Sequence, residues 1–254
     1  MLIEQTLERL RSLRLGAMAD RLGQWAAEPR SPDVTAEDVV GLLADAEWTH
    51  RQNSRLKNRL KNARMRQQAC IEDLRFGGER GLTKGMLKPL AGARWVTAHE
   101  NVIISGATGV GKSYVACALG NQACREGHTV MYRRARRLFD ELMTARADGS
   151  AQKLLAKLAR ANVLIIDDFG TESLDVRERS DLLEIVEDRY QVGSTVFTSQ
   201  RDPSEWHGVI GDETIGDAIC DRIVHNGHRI KLGGPSQRKT HNGLTTEEEG
   251  RKGK

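Results

Sequence analysis

A glycine-rich segment in the middle of the chain contains the residue types that bind phosphate groups. Residues 106–113 read Gly-Ala-Thr-Gly-Val-Gly-Lys-Ser and match the pattern G-x-x-x-x-G-K-[ST] at every fixed position. Glycines let the backbone approach phosphate oxygens closely, and the N–H groups at a helix N-terminus attract anions. We expect Lys112 to reach the β- and γ-phosphates of a nucleotide and Ser113 to hold Mg²⁺.

The flanks of this segment support a nucleotide-binding loop. Residues 101–105 form an apolar run typical of a buried strand, and residues 114–125 have the apolar spacing of a helix. The phosphate-binding motif requires this order of strand, loop and helix, which a chance glycine-rich turn would lack. The nucleotide is predicted to contact Gly106, Ala107, Thr108, Gly109, Val110, Gly111, Lys112, Ser113 and Tyr114.

Two adjacent carboxylates follow a second apolar run. Residues 162–168 form an apolar run that ends in the two carboxylates Asp167 and Asp168, and such a run predicts a strand buried on both faces. Ligands of open parallel sheets bind at the carboxyl ends of the strands. We therefore expect Asp167 to complete the Mg²⁺ site and Asp168 to orient or deprotonate the attacking water. A structural strand followed by an acidic loop would look the same, but the phosphate loop in this chain favours catalysis.

Strands and helices alternate through the larger part of the chain. Four strands are predicted, at about residues 101–105, 129–133, 162–167 and 194–198. Because helical patterns separate them, we predict an α/β domain with a central parallel sheet over residues 73–240. Its first part, within residues 71–100, is rich in glycine and is interpreted as a linker. Residues 241–254 are polar and are expected to be disordered.

The N-terminal part, residues 1–72, is predicted to form a small all-helical domain. Thr35 and Asp38 fit the start of a helix. From Trp48 through Ile71 the chain has no acidic residue, and a helix here would place basic side chains beside an apolar stripe. A dense stripe of one sign is better explained by phosphate contacts with DNA than by a solvated or partner-binding helix face. The predicted DNA contacts in this segment are Arg51, Arg55, Lys57, Arg59, Lys61 and Arg64.

A second basic cluster follows the second predicted strand. It contains Arg133, Arg134, Arg136 and Arg137, of which we predict that Arg133 and Arg134 contact DNA. A solvated helix surface is an equal alternative because acidic residues are interleaved in the stretch that follows.

Composition excludes some classes of protein. The chain has 254 residues, 39% of them hydrophobic, and a formal net charge of +4. No apolar run approaches the roughly 18 residues of a membrane span, so no membrane partner is expected. The four cysteines form no C-x-x-C pair, and we expect Cys117 and Cys124 to be small core residues rather than metal ligands or disulfides. This cysteine usage predicts a cytoplasmic protein.

The motifs after the phosphate loop, taken in order, point to a family. They are Asp167–Gly170, Asp188–Tyr190, Thr198–Gln200, Glu205–Trp206, Ala218–His225 and Gly234–Arg238. The series resembles the IstB family, the AAA+ ATPases that accompany transposases of bacterial insertion sequences. It is similar, more distantly, to DnaC-type helicase loaders. The likeness covers nearly the whole chain and implies a P-loop AAA+ domain preceded by the helical N-terminal domain.

The resemblance also implies roles for single residues. Asp167 matches the Walker B magnesium residue, and Asp168 stands where the family usually has a glutamate that is one methylene longer. Gln200 matches a polar sensor of the γ-phosphate, and Arg238 matches a late arginine that senses nucleotide. Arg222 matches an arginine finger that acts on a neighbouring subunit, although a salt bridge with Asp221 or Asp217 would also explain it. The predicted catalytic residues are Lys112, Asp168, Gln200 and Arg222.

The activity implied by the resemblance is ATP-dependent. The family forms oligomers that bind duplex DNA and help a transposase to select and activate a target site, with ATP and Mg²⁺ as cofactors. The alternative is an adaptor of the helicase-loader type, acting on single-stranded DNA and a replicative helicase. A small-molecule P-loop kinase fits less well because no compact substrate lid is evident and the basic segment would have no use there.

Overall fold

The computed structural model describes residues 2–28 and 33–237, and the chain divides into two compact units between Asn58 and Arg59. Arg238 and the tail 241–254 lie outside the described residues, so their predicted roles stay predictions. The division falls earlier in the sequence than residue 72, and the predicted domain limits at residues 72 and 240 also stay predictions.

The described residues of the N-terminal part form α1 (Leu2–Ser12), α2 (Gly16–Ala27) and α3 (Ala36–Ala63). The expected start of α3 is confirmed, because the Asp38 N–H donates to Thr35 Oγ1 at 3.2 Å and the Thr35 N–H donates to Asp38 Oδ2 at 3.0 Å. Buried Glu47 accepts hydrogen bonds from the Met18 N–H at 3.2 Å and from Arg51 Nε at 2.8 Å. The hydrogen bond from Arg51 lowers the pKa of Glu47.

The second unit contains a five-stranded sheet in which every pairing is parallel. Its strands are β1 (Asn101–Gly106), β2 (Val130–Arg134), β3 (Val163–Phe169), β4 (Ser194–Ser199) and β5 (Gly227–Leu232). The spatial order is β2-β3-β4-β1-β5. The four predicted strands and the parallel sheet are confirmed. The edge strand β5 was not predicted, because in its sequence Gly-His-Arg-Ile-Lys-Leu only Ile230 and Leu232 are buried.

Helices cover the sheet and connect its strands. They are α4 (Lys84–Ala91), α5 (Arg94–Thr97), α6 (Lys112–Arg125), α7 (Ala135–Ala147), α8 (Ala151–Arg160), α9 (Val176–Arg189), α10 (Trp206–Ile210) and α11 (Glu213–Val224). The interpretation of residues 71–100 as a linker is wrong. This stretch forms α4 and α5 and buries Leu82, Leu90 and Trp95, so it belongs to the core. Gly77, Gly78, Gly81 and Gly92 lie in or beside turns between short elements, and Gly85 lies in the first turn of α4.

The predicted basic helix is shorter than expected, since α3 ends at Ala63 and not near Ile71. Arg64 has a φ of 52°, a left-handed conformation of the kind that commonly terminates helices. The chain then turns, and Met65 Sδ lies 3.0 Å from the position that a Cβ would occupy at Gly120 of α6. Ile165 Cδ1 of β3 lies closer still, at 2.9 Å, so the close approach of both side chains explains a glycine in the middle of α6.

The core explains several residues of the family-like motifs. Phe169, Phe197 and Trp206 pack together, with ring centroids 4.8–5.5 Å apart. Buried Arg189 donates hydrogen bonds to the carbonyl oxygens of Leu158 at 2.6 Å and Ser194 at 2.5 Å, among others. Burial lowers the pKa of Arg189 to about 10. Arg189 therefore joins the end of α8 to the start of β4, which is a structural role.

The cysteine prediction is confirmed for α6. Cys117 and Cys124 are free and buried, and burial raises the pKa of each thiol to about 11. Over the described part of the chain, no helix is both long enough and apolar enough to cross a membrane.

Candidate active site

The phosphate loop connects β1 to α6 and depends on its glycines. Gly106, Gly109 and Gly111 have φ values of 144°, 87° and 98°, which residues with a side chain rarely adopt. A Cβ at Gly106 would lie 2.2 Å from the carbonyl oxygen of Leu232, and one at Gly109 would lie 2.4 Å from Ser236 Oγ. The loop therefore requires glycine at these positions, as the sequence motif predicts, because a Cβ there would clash with neighbouring protein atoms.

Lys112 begins α6 and turns its ammonium group back into the loop. Its Nζ donates to the carbonyl oxygens of Gly106 at 2.7 Å and Ala107 at 2.9 Å, and the residue is buried. A cation fixed at the N-terminus of a 14-residue helix gives a strong site for an anion. This geometry fits the triphosphate of ATP.

A cleft of about 840 Å³ brings together residues from distant parts of the sequence. Thr108, Gly109, Gly111, Lys112, Ser113 and Tyr114 line it beside Asp168 and Gln200. Gln200 comes directly after β4, whereas Asp168 lies near the end of β3, the neighbouring strand. The structure thus gathers the predicted phosphate-loop, water-activating and sensor residues around one space.

Asp167 is completely buried and fixed by two hydroxyl groups that sequence reasoning missed. Tyr132 Oη donates to Asp167 Oδ2 and Thr198 Oγ1 donates to Asp167 Oδ1, each at 2.5 Å. Burial, followed by the hydrogen bond to Asp167, raises the pKa of Tyr132. Both hydroxyls come from strands that lie next to β3. They could be predicted only from the strand order, which the sequence did not establish.

Asp168 has a different environment although it is the next residue. Its φ is 59°, and the pairing of β3 with β4 shifts register between Ile166 and Phe169. Such a bulge re-aims a side chain, and here the half-exposed carboxylate faces the cleft. Asp168 Oδ2 lies 3.1 Å from Arg134 Nη2 and 3.7 Å from Arg66 Nη1.

Two oxygen-bearing residues could hold Mg²⁺ here. Ser113 offers a hydroxyl at the start of α6, and Asp167 offers a carboxylate. Within the described residues there is no cluster of three or more His, Cys, Asp or Glu side chains arranged to hold a metal ion. Mg²⁺ ordinarily binds one or two protein oxygens together with substrate phosphates and water, and Ser113 supplies one such oxygen in the cleft. Asp167 is completely buried and does not line the cleft in this structure.

Arg222 lies away from this cleft. It is on α11, where its main-chain oxygen accepts a hydrogen bond from Asn101 Nδ2 at 3.2 Å. Asn101 begins β1, whereas Gly106 and the phosphate loop come at the other end of that strand. Arg222 Nη2 lies 3.2 Å from Glu187 Oε1, and its guanidinium stands 6.0 Å from the centroid of the Tyr190 ring.

The alternative prediction for Arg222 was a salt bridge with Asp221 or Asp217. Asp221 lies 3.4 Å from His225 and Asp217 lies 2.9 Å from His207, so neither pairs with Arg222. An ion pair exists, but it is made with Glu187 on α9.

The basic residues predicted to contact DNA fall into two groups. Several already have partners within the protein: Arg51 with Glu47, Arg59 Nε with the Cys124 carbonyl oxygen at 2.8 Å, Arg133 with Glu141 and Arg134 with Asp168. The others are exposed and make no ion pair within the described residues; they are Arg55, Lys57, Lys61 and Arg64.

Comparison with known families accounts for this set of features. The model of the family described as IstB-like ATP binding protein matches residues 8–245, which include the phosphate loop, Asp167, Asp168 and Arg222. This chain belongs to that family. Like other members, the IstB-like chain is an ATP-binding protein associated with insertion sequences, as the resemblance implied.

Relatives of this IstB-like protein agree with the assignment. A protein of Sinorhizobium fredii described as an insertion sequence ATP-binding protein is 44% identical over 239 residues, which cover 94% of this chain and 98% of the relative. A protein of Pseudomonas fluorescens, described as the ATP-binding protein of insertion sequence IS1162, is 40% identical over 201 residues, with 79% and 87% covered.

Solved structures confirm the P-loop AAA+ fold of the IstB-like protein. DnaI matches with a TM-score of 0.58 at 20% identity, covering 69% of this chain and 93% of its own. The DnaC helicase loader matches with a TM-score of 0.52 at 21% identity, covering 68% and 99%. The replication initiator DnaA, solved with AMPPCP and single-stranded DNA, gives 0.57 at 20% identity, covering 69% and 54%.

Proposed function

We propose that this IstB-like protein is a Mg²⁺-dependent ATPase that assembles on duplex DNA with ATP and assists a transposase in selecting and activating its target site. Family membership and the descriptions of the relatives support the insertion-sequence setting. Three further steps, hydrolysis, assembly and DNA binding, are argued from the positions of particular side chains.

Hydrolysis is supported by the content of the nucleotide cleft. Lys112 would neutralise the phosphates, Ser113 and Asp167 would hold Mg²⁺, and Gln200 would contact the γ-phosphate. Asp168 would orient the attacking water. The bulge that turns this carboxylate into the cleft supports that role even though aspartate is one methylene shorter than the glutamate usual in the family.

Assembly is carried by a single observation, the position of Arg222. The strand β1 has six residues, so its two ends are about 16 Å apart at roughly 3.3 Å per residue. Arg222 is attached at the amino end, through Asn101, and the phosphate loop leaves the carboxyl end. Its guanidinium thus lies at the opposite end of β1 from the nucleotide site of its own chain. It would instead contact the nucleotide of a second copy.

DNA binding is assigned to the exposed basic residues of α3 and the turn after it. Arg55, Lys57, Lys61 and Arg64 have no competing ion pair within the described residues and are available for phosphates. We propose that residues 1–72 act in DNA binding and assembly and that residues 73–240 form the ATPase domain.

The deciding experiment images the full-length protein on duplex DNA by electron microscopy. It compares ATP, ADP and no nucleotide, with Lys112→Ala as the control. We expect a DNA-coated oligomer with ATP alone, lost in Lys112→Ala. A protein that stays monomeric on DNA with ATP would contradict the proposal.

The helicase-loader alternative is an outcome of the same experiment. The likeness to the DnaC helicase loader, at 21% identity, shows a shared fold and does not decide between the two functions. Tighter binding to single-stranded than to duplex DNA, together with capture of a replicative helicase, would favour that alternative.

A further inference from the structure

Arg80, a residue outside every motif, is directed at the phosphate loop. Its Nη2 lies 2.7 Å from the position that a Cβ would occupy at Gly111, so the guanidinium packs directly on the glycine that caps α6. Arg80 lines the same cleft as Lys112 and Ser113. The guanidinium therefore lies beside the N-terminus of α6, where helix N–H groups attract anions.

The surrounding backbone holds Arg80 in this position. Residues 77–82 form a tight turn closed by an antiparallel bridge between Gly77 and Leu82. The Gly233 N–H, just after β5, donates to the carbonyl oxygen of Arg80 at 2.9 Å. Its side chain is fixed as well, since Nη1 donates to the carbonyl oxygen of Arg75 at 2.7 Å. The cation is thus placed in advance rather than free to reorient.

The charge of Arg80 lacks compensation within the protein. It makes no ion pair among the described residues, and its Nε is buried without a hydrogen-bond partner. Burial lowers the pKa of Arg80, and the charge of Arg75 lowers it further. The cleft is lined by four cations, Arg66, Arg75, Arg80 and Lys112, against two carboxylates. A half-buried cation and an unsatisfied donor both favour a polyanionic ligand.

We infer that Arg80 contacts the polyphosphate of the bound nucleotide from within the same chain, as a second cation beside Lys112. This inference deepens the proposed function and rests on its nucleotide site. It does not depend on DNA or on assembly. Arg80 would thus supply charge to the nucleotide of its own subunit, whereas Arg222 would supply it to the nucleotide of a neighbour.

The test measures binding to the full-length protein by calorimetry, without DNA and with Mg²⁺, using ATP, ADP and inorganic tripolyphosphate. The variants are Arg80→Ala and Arg80→Lys, and the control is Arg94→Ala, an exposed arginine outside the cleft. We expect Arg80→Ala to weaken all three ligands by about tenfold, equal to about 1.4 kcal/mol. Arg80→Lys should recover part of the loss because it keeps a cation, and Arg94→Ala should bind like the wild type.

Each of the following results would overturn the inference. Unchanged ATP affinity in Arg80→Ala would do so while leaving the proposed function standing. Weaker ATP binding with unchanged tripolyphosphate binding would place Arg80 on the base or ribose instead. Tighter ATP binding would mean that Arg80 occupies the place of the nucleotide. A purely structural role is separated by thermal melting without nucleotide, since it predicts that Arg80→Lys fails to recover binding and that both variants melt at lower temperature.

Discussion

At the scale of the residue, two neighbouring aspartates show how local structure divides chemical roles. Asp167 is completely buried between the hydroxyls of Tyr132 and Thr198. Asp168 is half-exposed on a bulge and faces the nucleotide cleft. The first carboxylate is fixed by its two hydroxyl donors. The second has room for water and a choice of partners.

We predict different kinetic defects for two variants of the nucleotide site. Lys112→Ala removes the charge that faces the phosphates and should abolish tight ATP binding. Asp168→Asn leaves the phosphate cradle intact, so ATP should still bind while kcat falls by about 10²–10⁴, the usual contribution of general acid–base catalysis. Equilibrium ATP binding and steady-state hydrolysis measure the two effects. Hydrolysis at the wild-type rate by Asp168→Asn would refute its assignment.

We also predict that Tyr132→Phe weakens the fold. It removes one of the two hydroxyl donors to the buried Asp167 carboxylate, and a buried acceptor that loses its partner costs about 1–3 kcal/mol. Chemical denaturation should show this loss in the free energy of unfolding. The matched control is Tyr190→Phe, because the Tyr190 ring is partly exposed and no hydrogen bond involves its hydroxyl among those described.

At the scale of the element, α3 uses its basic residues in two ways. Arg59 Nε donates to the carbonyl oxygen of Cys124 in the last turn of α6. The Gly127 N–H donates to the same carbonyl oxygen at 3.2 Å. A cation at a helix C-terminus adds a charged donor to the last carbonyl groups and interacts favourably with the helix dipole. Lys57 and Lys61, on the same helix, are exposed and make no ion pair within the described residues.

This contrast predicts a difference in stability between two neighbouring charges. Arg59→Ala should lower the free energy of unfolding by about 1.5–3 kcal/mol, since it removes a charged donor to a backbone carbonyl. Lys61→Ala should change it by less than about 0.5 kcal/mol, as surface substitutions usually do. Urea titrations of both variants provide the comparison, and equal decreases would show that the hydrogen bond to Cys124 does not matter.

The same contrast selects the residues for a test of DNA binding. The triple variant Arg55→Ala, Lys57→Ala, Lys61→Ala removes exposed charges and spares Arg59. It should weaken binding to all duplexes alike. The slope of log binding constant against log salt concentration should become shallower by about 0.9 for each DNA phosphate that the variant no longer neutralises. Fluorescence anisotropy at several salt concentrations measures both quantities. Unchanged affinity and slope would transfer the DNA contacts to Arg133 and its neighbours.

Particular elements show how far the sequence alone could lead. The phosphate loop and the apolar strands were predictable because the residue types in each segment favour one local conformation. The edge strand β5 was missed, since burial on one face leaves it a short alternating pattern. The early end of α3 and the bulge at Asp168 were also missed, because each puts a residue other than glycine at positive φ for tertiary reasons. Tyr132 and Thr198 needed the strand order, a property of the whole sheet.

At the scale of the whole molecule, the two ends of the parallel strands in the ATPase sheet carry different groups of residues. The nucleotide cleft lies at the carboxyl ends of the strands. Arg222 lies at the amino ends, with Glu187 and Tyr190 around it. Under the proposed assembly, each subunit would hold one half of a composite site at each end of its strands. Its hydrolysis should therefore depend on protein concentration.

A mixing experiment tests this dependence. Arg222→Ala should bind ATP nearly as the wild type does but hydrolyse it poorly. Lys112→Ala should neither bind ATP tightly nor hydrolyse it. A mixture of the two should recover part of the activity, because an Arg222→Ala subunit with an intact phosphate loop can lie next to a Lys112→Ala subunit with an intact Arg222. Steady-state hydrolysis across mixing ratios measures the recovery. A mixture no more active than its components would contradict action between subunits.

The two buried thiols of α6 give the nucleotide-binding helix a chemical reporter of its own. Cys117 and Cys124 are buried with raised pKa values, so an alkylating reagent can reach them only when the packing around the helix opens. Cys70 and Cys220 are more accessible and can be replaced by serine to remove the background. Because bound ATP would hold the first turn of α6, it should slow alkylation of both thiols. Mass spectrometry could then follow the opening of this helix during turnover, with no probe added to the protein.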